Sequence, residues 1–122
     1  MPFLRVSPFQ GMFPMRMMIR SLSAKLPETI VENIERLLQS ALSRFESRIG
    51  SIQLTMRDIN GPRGGVDQQC RLMVHLNDGT EFTISEVQTS LFAAVARVAD
   101  RVAHTVMRRL KRRRNFEHVR AA

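Results

Sequence analysis

Arg97, Arg101, His104, Arg108 and the Lys111/Arg112 pair recur every three or four residues near the end of the chain. That spacing lines side chains up along one side of an α-helix. Cationic groups in such a row are suited to one kind of chemistry, the neutralisation of successive phosphates on a polyanion, each contact releasing condensed counterions. Eight of the nineteen Lys/Arg but only one of the eleven acids, Asp100, fall between residues 97 and 114. Nearly all of the formal net charge of +8 therefore sits on one helix. The competing reading is a solvated face that only confers solubility. Such faces usually mix signs within i,i+4 pairs, and this one barely does.

Other chemistries find less support. Ser, His and Asp occur, but no nucleophile elbow or paired carboxylate groups them, so no catalytic residue and no small-molecule substrate is expected. His75, His104 and His118 are far apart and Cys70 is alone. No metal site, cofactor or intramolecular disulfide is implied. Cys70 falls on the inward side of a strand, where a thiol is packed rather than reactive. Asp100 is expected to pair with Arg97, Arg101 or His104. Without Trp or Tyr there is no obvious base-stacking platform. The segment Gly61-Pro62-Arg63-Gly64-Gly65 could cradle phosphate through its amides, with Arg63 adding charge. No Gly-Lys-Ser/Thr follows it, so it is not a Walker loop. A plain flexible hairpin connection is the alternative.

The elements that position these residues follow from periodicity. Leu91, Val95, Val98, Val102 and Val106 mark a helix over about Thr89–Arg114, capped by Thr89 or Ser90, with the cations on the side opposite this buried stripe. Earlier, Ile30, Ile34, Leu37/Leu38, Ala41 and Phe45 mark a nearly neutral helix that begins at Pro27, runs to about Ser47 and is closed by Gly50. Residues 16–23 read as a short strand of uncertain inward face. Ser51–Ile59, Gln69–Leu76 and Thr80–Val87 alternate as strands, the last two joined by the Asn77-Asp78-Gly79 turn. The first fourteen residues are broken by Pro2, Pro8, Gly11 and Pro14 and read as a loose extension, and no run is long enough to span a membrane.

The order β-α-β-β-β-α implies an α+β two-layer sandwich over residues 16–114. In it a four-stranded mixed sheet carries both helices on one face, after a loose extension at 1–15 and before a disordered tail at 115–122. The first two strands should pair parallel across the helix, and the last three should form an antiparallel meander. An eight-residue strand spans roughly 26 Å at about 3.3 Å per residue, whereas the last helix runs roughly 39 Å at about 1.5 Å per residue. Its basic end, Arg108 to Arg114, should overhang the sheet. There Arg109, nominally in the apolar register, and Arg113 would also face the polyanion.

This order, together with Phe92-Ala93-Ala94-Val95 opening the last helix, Asp100-Arg101 in its middle and a basic C-terminal end, resembles the short form of the ribosome hibernation promoting factor and ribosome-associated inhibitor family. The likeness covers roughly residues 17–114. It implies a cytoplasmic protein that binds ribosomal RNA in the decoding channel of the small subunit and inhibits translation or stabilises idle ribosomes under stress. Arg101, His104, Arg108, Lys111 and Arg112 fall at or beside positions where that family presents basic side chains to RNA. The first helix departs from the pattern, keeping only Arg36, Arg44 and Arg48 where the family has several lysines. A double-stranded-RNA-binding module shares the β-β-β-α core and a Gly-Pro in its first hairpin loop, but its phosphate clamp lies at the start of the last helix. Here that start, Thr89 to Ala93, holds no lysine. A protein-interaction module using the open sheet face, with Arg71 and His75, is the third reading; oligomeric state stays open.

Overall fold

The computed structural model describes residues 3–6, 15–23, 25–59 and 67–121, with side chains described over 15–23, 25–59 and 67–112. The GPRGG segment with Arg63, and the side chain of Arg113, lie outside the described residues. Five strands, β1 (Phe3–Val6), β2 (Arg16–Ser21), β3 (Ile49–Asp58), β4 (Gln68–Leu76) and β5 (Glu81–Gln88), form one sheet in sequence order. The described residues also form the helices α1 (Glu28–Leu42) and α2 (Leu91–Ala121). β2 runs parallel to β3, with α1 as the crossover, and β3, β4 and β5 form an antiparallel meander. The α+β sandwich expected from the order of elements is present.

Alternation sets the two faces of the sheet. Ile52, Leu54 and Met56 of β3 and Cys70, Leu72 and Val74 of β4 are buried. On β2 the inward residues are Met17, Ile19 and Ser21, which settles the face that adjacent Met and Ile residues had left ambiguous. The helices lie over these residues, and α1 contributes Val31, Ile34, Leu38 and Leu42 to the same core. Pro27 precedes α1, accepting the Ile30 and Val31 amides on its carbonyl, and Glu28 supplies an acid in the first turn. Ser90 caps α2, its hydroxyl accepting the Ala93 N–H at 3.4 Å. Gly79, at φ 91°, makes the turn between β4 and β5 in a conformation that side chains disfavour.

Four expectations are corrected. The loose extension at 1–15 contains β1, which pairs antiparallel with β2 in register Phe3↔Ser21 to Val6↔Met18, and Met15 belongs to the core. The sheet thus gains a fifth strand. A strand here is favourable because β2 would otherwise expose its backbone donors and acceptors at the edge, and Pro2 and Pro8 flank the paired segment without interrupting it. At the other end, α2 continues to Ala121 where a disordered tail was expected after Arg114. No Pro or Gly follows Gly79, so the sequence holds no breaker after the basic run. Finally, α1 ends at Leu42, followed by a short 3-10 turn over Ser43–Phe45, and Gly50 is a β3 residue beside a register shift. Its role is steric: a Cβ there would stand 3.0 Å from the Asn77 Oδ1.

Candidate nucleic-acid interface

The buried face of α2 consists of small and β-branched residues. Ala94, Val95, Val98, Ala99, Val102, Ala103 and Val106 are covered, and Leu91 and Leu110 pack at the margins. Short side chains let the helix axis sit close to β4 and β5, which leaves its longer residues to project from the flanks. Leu110 shares a cleft with Leu76 and the Asn77-Asp78 turn, so it marks the end of the sheet. Lys111 and Arg112 beyond it are exposed. The eleven residues from Lys111 to Ala121 carry the helix onward by about 16 Å at about 1.5 Å per residue.

Within the cationic row, Arg97 and Arg101 reach toward β5. On the other flank of α2, Ala96, Asp100 and Ala103 border a cleft against Leu37, Ala41 and Arg44 of the α1 region. This difference in direction divides the sequence-predicted residues into two groups. Arg101 Nη1 donates to Glu86 Oε1 at 2.9 Å and to the Ser85 carbonyl at 3.0 Å. Arg97 Nε lies 3.6 Å from the same carboxylate oxygen. Glu86 is mostly covered, its side chain only 17% exposed, so its one carboxylate holds both guanidinium groups against the sheet edge. Arg101 also satisfies an outward carbonyl of an edge strand, a site where another chain would otherwise pair.

His104 turns away from this cluster. Its Nδ1 is 3.0 Å from the Asp100 carbonyl and 3.7 Å from Asp100 Oδ2, so Asp100 pairs with His104 rather than with an arginine. Arg109 was expected to find no body to meet. Its guanidinium instead lies 5.0 Å above the Phe82 ring of β5, anchored by a cation–π contact while still exposed. Among the described residues Arg108, Lys111 and Arg112 have neither an ion-pair nor a hydrogen-bond partner for their side chains. On α2, among the described residues, these three are the cations left to an external anion.

Sequence reasoning missed Glu86. The signal was present, because Phe82 and Ile84 were assigned inward and a period of two places Glu86 on the same face. Elsewhere the chemistry is quiet. Burial pushes the Cys70 thiol up to about 12, so it is a thiol and not a thiolate at neutral pH. Among the described residues no group of three or more His, Cys, Asp or Glu is placed to hold a metal ion, and no helix is long and apolar enough to cross a membrane.

A four-stranded β-α-β-β-β core with a long, basic C-terminal helix on one face defines a class of small α+β domains, here with an added edge strand. Within that class the chain has the fold of two solved proteins. One is the Thermus thermophilus Protein Y N-terminal domain, at 18% sequence identity and a TM-score of 0.59 over 75% of this chain and 92% of that one. The other is a ribosomal subunit interface protein from Coxiella burnetii, at 11% identity and a TM-score of 0.59 over 80% and 97%. No protein-family model matches the sequence, and no curated protein is significantly similar to it.

Proposed function

We propose that this chain is a cytoplasmic ribosome-associated factor that docks the end of α2 along small-subunit ribosomal RNA and thereby inhibits translation or stabilises idle ribosomes. The observation that carries the reading is the set Arg108, Lys111 and Arg112, without partners among the described residues and placed at and just beyond the point where α2 leaves the sheet. A helix that projects past its own core can lie along a phosphate backbone without the body colliding with it. Contacts of this kind position a protein and do not read bases. The shared fold supports the same reading, since one of the two structural neighbours is described as a ribosomal subunit interface protein. Arg109, Arg113 and Arg63 would add charge around this contact. Arg97 and Arg101 serve mainly to fasten α2 to β5.

The experiment is cosedimentation with purified ribosomes and separated subunits. A variant carrying R108Q, K111Q and R112Q is expected to leave the small-subunit pellet while keeping its thermal unfolding transition. Retention of that variant at wild-type levels would reject the docking surface. Inhibition is a separate readout: added protein should lower the yield of a cell-free translation reaction, and the triple variant should not.

A further inference from the structure

The face of the sheet turned away from the helices is also cationic, and the basic helix does not account for it. Across β2, β3, β4 and β5 the outward positions carry Arg16, Arg20, Arg57 and Arg71 against a single acid, Glu81. Glu81 is paired already, its Oε2 lying 3.3 Å from His75 Nδ1. None of the four arginines has an ion-pair or hydrogen-bond partner for its side chain among the described residues.

Register gathers three of them. Arg20 stands opposite Thr55, and Thr55 opposite Arg71, in one cross-strand row, while Arg57 is the next outward residue along β3. Neighbouring strands are about 4.8 Å apart, so Arg20 and Arg71 lie roughly 10 Å apart across Thr55. Arg57 is a diagonal neighbour of each, roughly 7–8 Å away. The His75–Glu81 pair lies about 13 Å further along β4, at about 3.3 Å per residue, too far to neutralise the triangle. The outward residues among the arginines, Thr55 and Gln69, are uncharged and polar, so they set no like or opposing charge against a phosphate backbone.

A cluster of like charges on a sheet is unfavourable for folding unless an outside anion balances it. Arginine forks also match phosphate oxygens in pairs. We infer that this face is a second phosphate-backbone site, at which Arg20, Arg57 and Arg71 grip an RNA segment distinct from the one along α2. The protein is then two-sided, with RNA on the sheet as well as beside the helix. The inference deepens the ribosomal reading and rests on it for the identity of the RNA, but the site itself is testable on free RNA.

The test has two arms. With free total ribosomal RNA as the probe, binding is titrated over a range of salt for the wild type and for R20Q/R57Q/R71Q, with R108Q/K111Q/R112Q alongside. Loss of three phosphate contacts should make the log–log salt slope of the sheet variant shallower by about 2–3, its melting transition being unchanged. A slope equal to that of the wild type would overturn the inference. In the second arm, a photo-crosslinking residue replaces Thr55 in protein bound to whole ribosomes. Attachment to ribosomal RNA is expected, while attachment to a ribosomal protein, or to nothing, would overturn it and leave a protein-binding face or a bare one. The ribosomal reading fails separately, if the wild type does not sediment with ribosomes at all.

Discussion

The two ends of α2 use the same residue types to opposite ends. Before Leu110 the helix is seated on β4 and β5, and every arginine there except Arg108 is spent inward: Arg97 and Arg101 on Glu86, Arg109 on Phe82 just short of the edge. Beyond it Lys111 and Arg112 are exposed, as Arg108 is, and the three have no partner among the described residues. An arginine count along the helix treats these ends alike. Neighbours on another element, not the helix itself, decide which guanidinium groups are free for a ligand.

The comparison can be broken most forcefully from the buried side. Val102 is fully covered, and Val102→Asp should cost on the order of 4 kcal/mol or more, because a carboxylate would be buried without a partner. Met107, on the solvent side and 41% exposed, should accept the same change within about 0.5 kcal/mol. Urea unfolding monitored by circular dichroism separates the two, and equal losses would mean that the helix is not seated as described.

Next in size, neutralising Arg108, Lys111 and Arg112 together should weaken ribosome binding about a hundredfold, from roughly 1 kcal/mol for each lost contact. Stability should scarcely move. The subtlest change sharpens the contrast. Glu86→Gln should cost no more than about 1 kcal/mol of stability, since its partners are half exposed or more. Yet it would release Arg97 and Arg101, so affinity for RNA should rise and the salt slope should steepen by up to about 2. A weaker-binding Glu86→Gln protein would show that the inner arginines work in their tethered positions.

Much of this was legible in the sequence. Strict alternation in Ile52–Met56 and Cys70–Leu76 gave two strands and their faces, and the valine stripe gave α2 and its seat. What escaped needed information that no local period carries. β1 is four residues long in a proline-interrupted stretch, and its reason for being a strand is the bare edge of β2, which is distant in sequence. On β2, apolar Met17, Met18 and Ile19 in succession could not declare a face. The tethering of Arg97 and Arg101 requires laying a period of two on β5 against a period of 3.6 on α2, and only the packed pair reveals that Glu86 meets them. The sequence thus groups the cations of α2 as one set, and only the packed structure separates the tethered from the free.

That division is tested most directly by sedimenting ribosomes with two variants over a range of salt, R97Q/R101Q and R108Q/K111Q/R112Q. The account predicts that the outer triple variant loses binding with a salt slope shallower by about 2–3, while the inner pair stays close to the wild type in slope. Loss of binding in the inner pair, with the outer triple variant still bound, would contradict it.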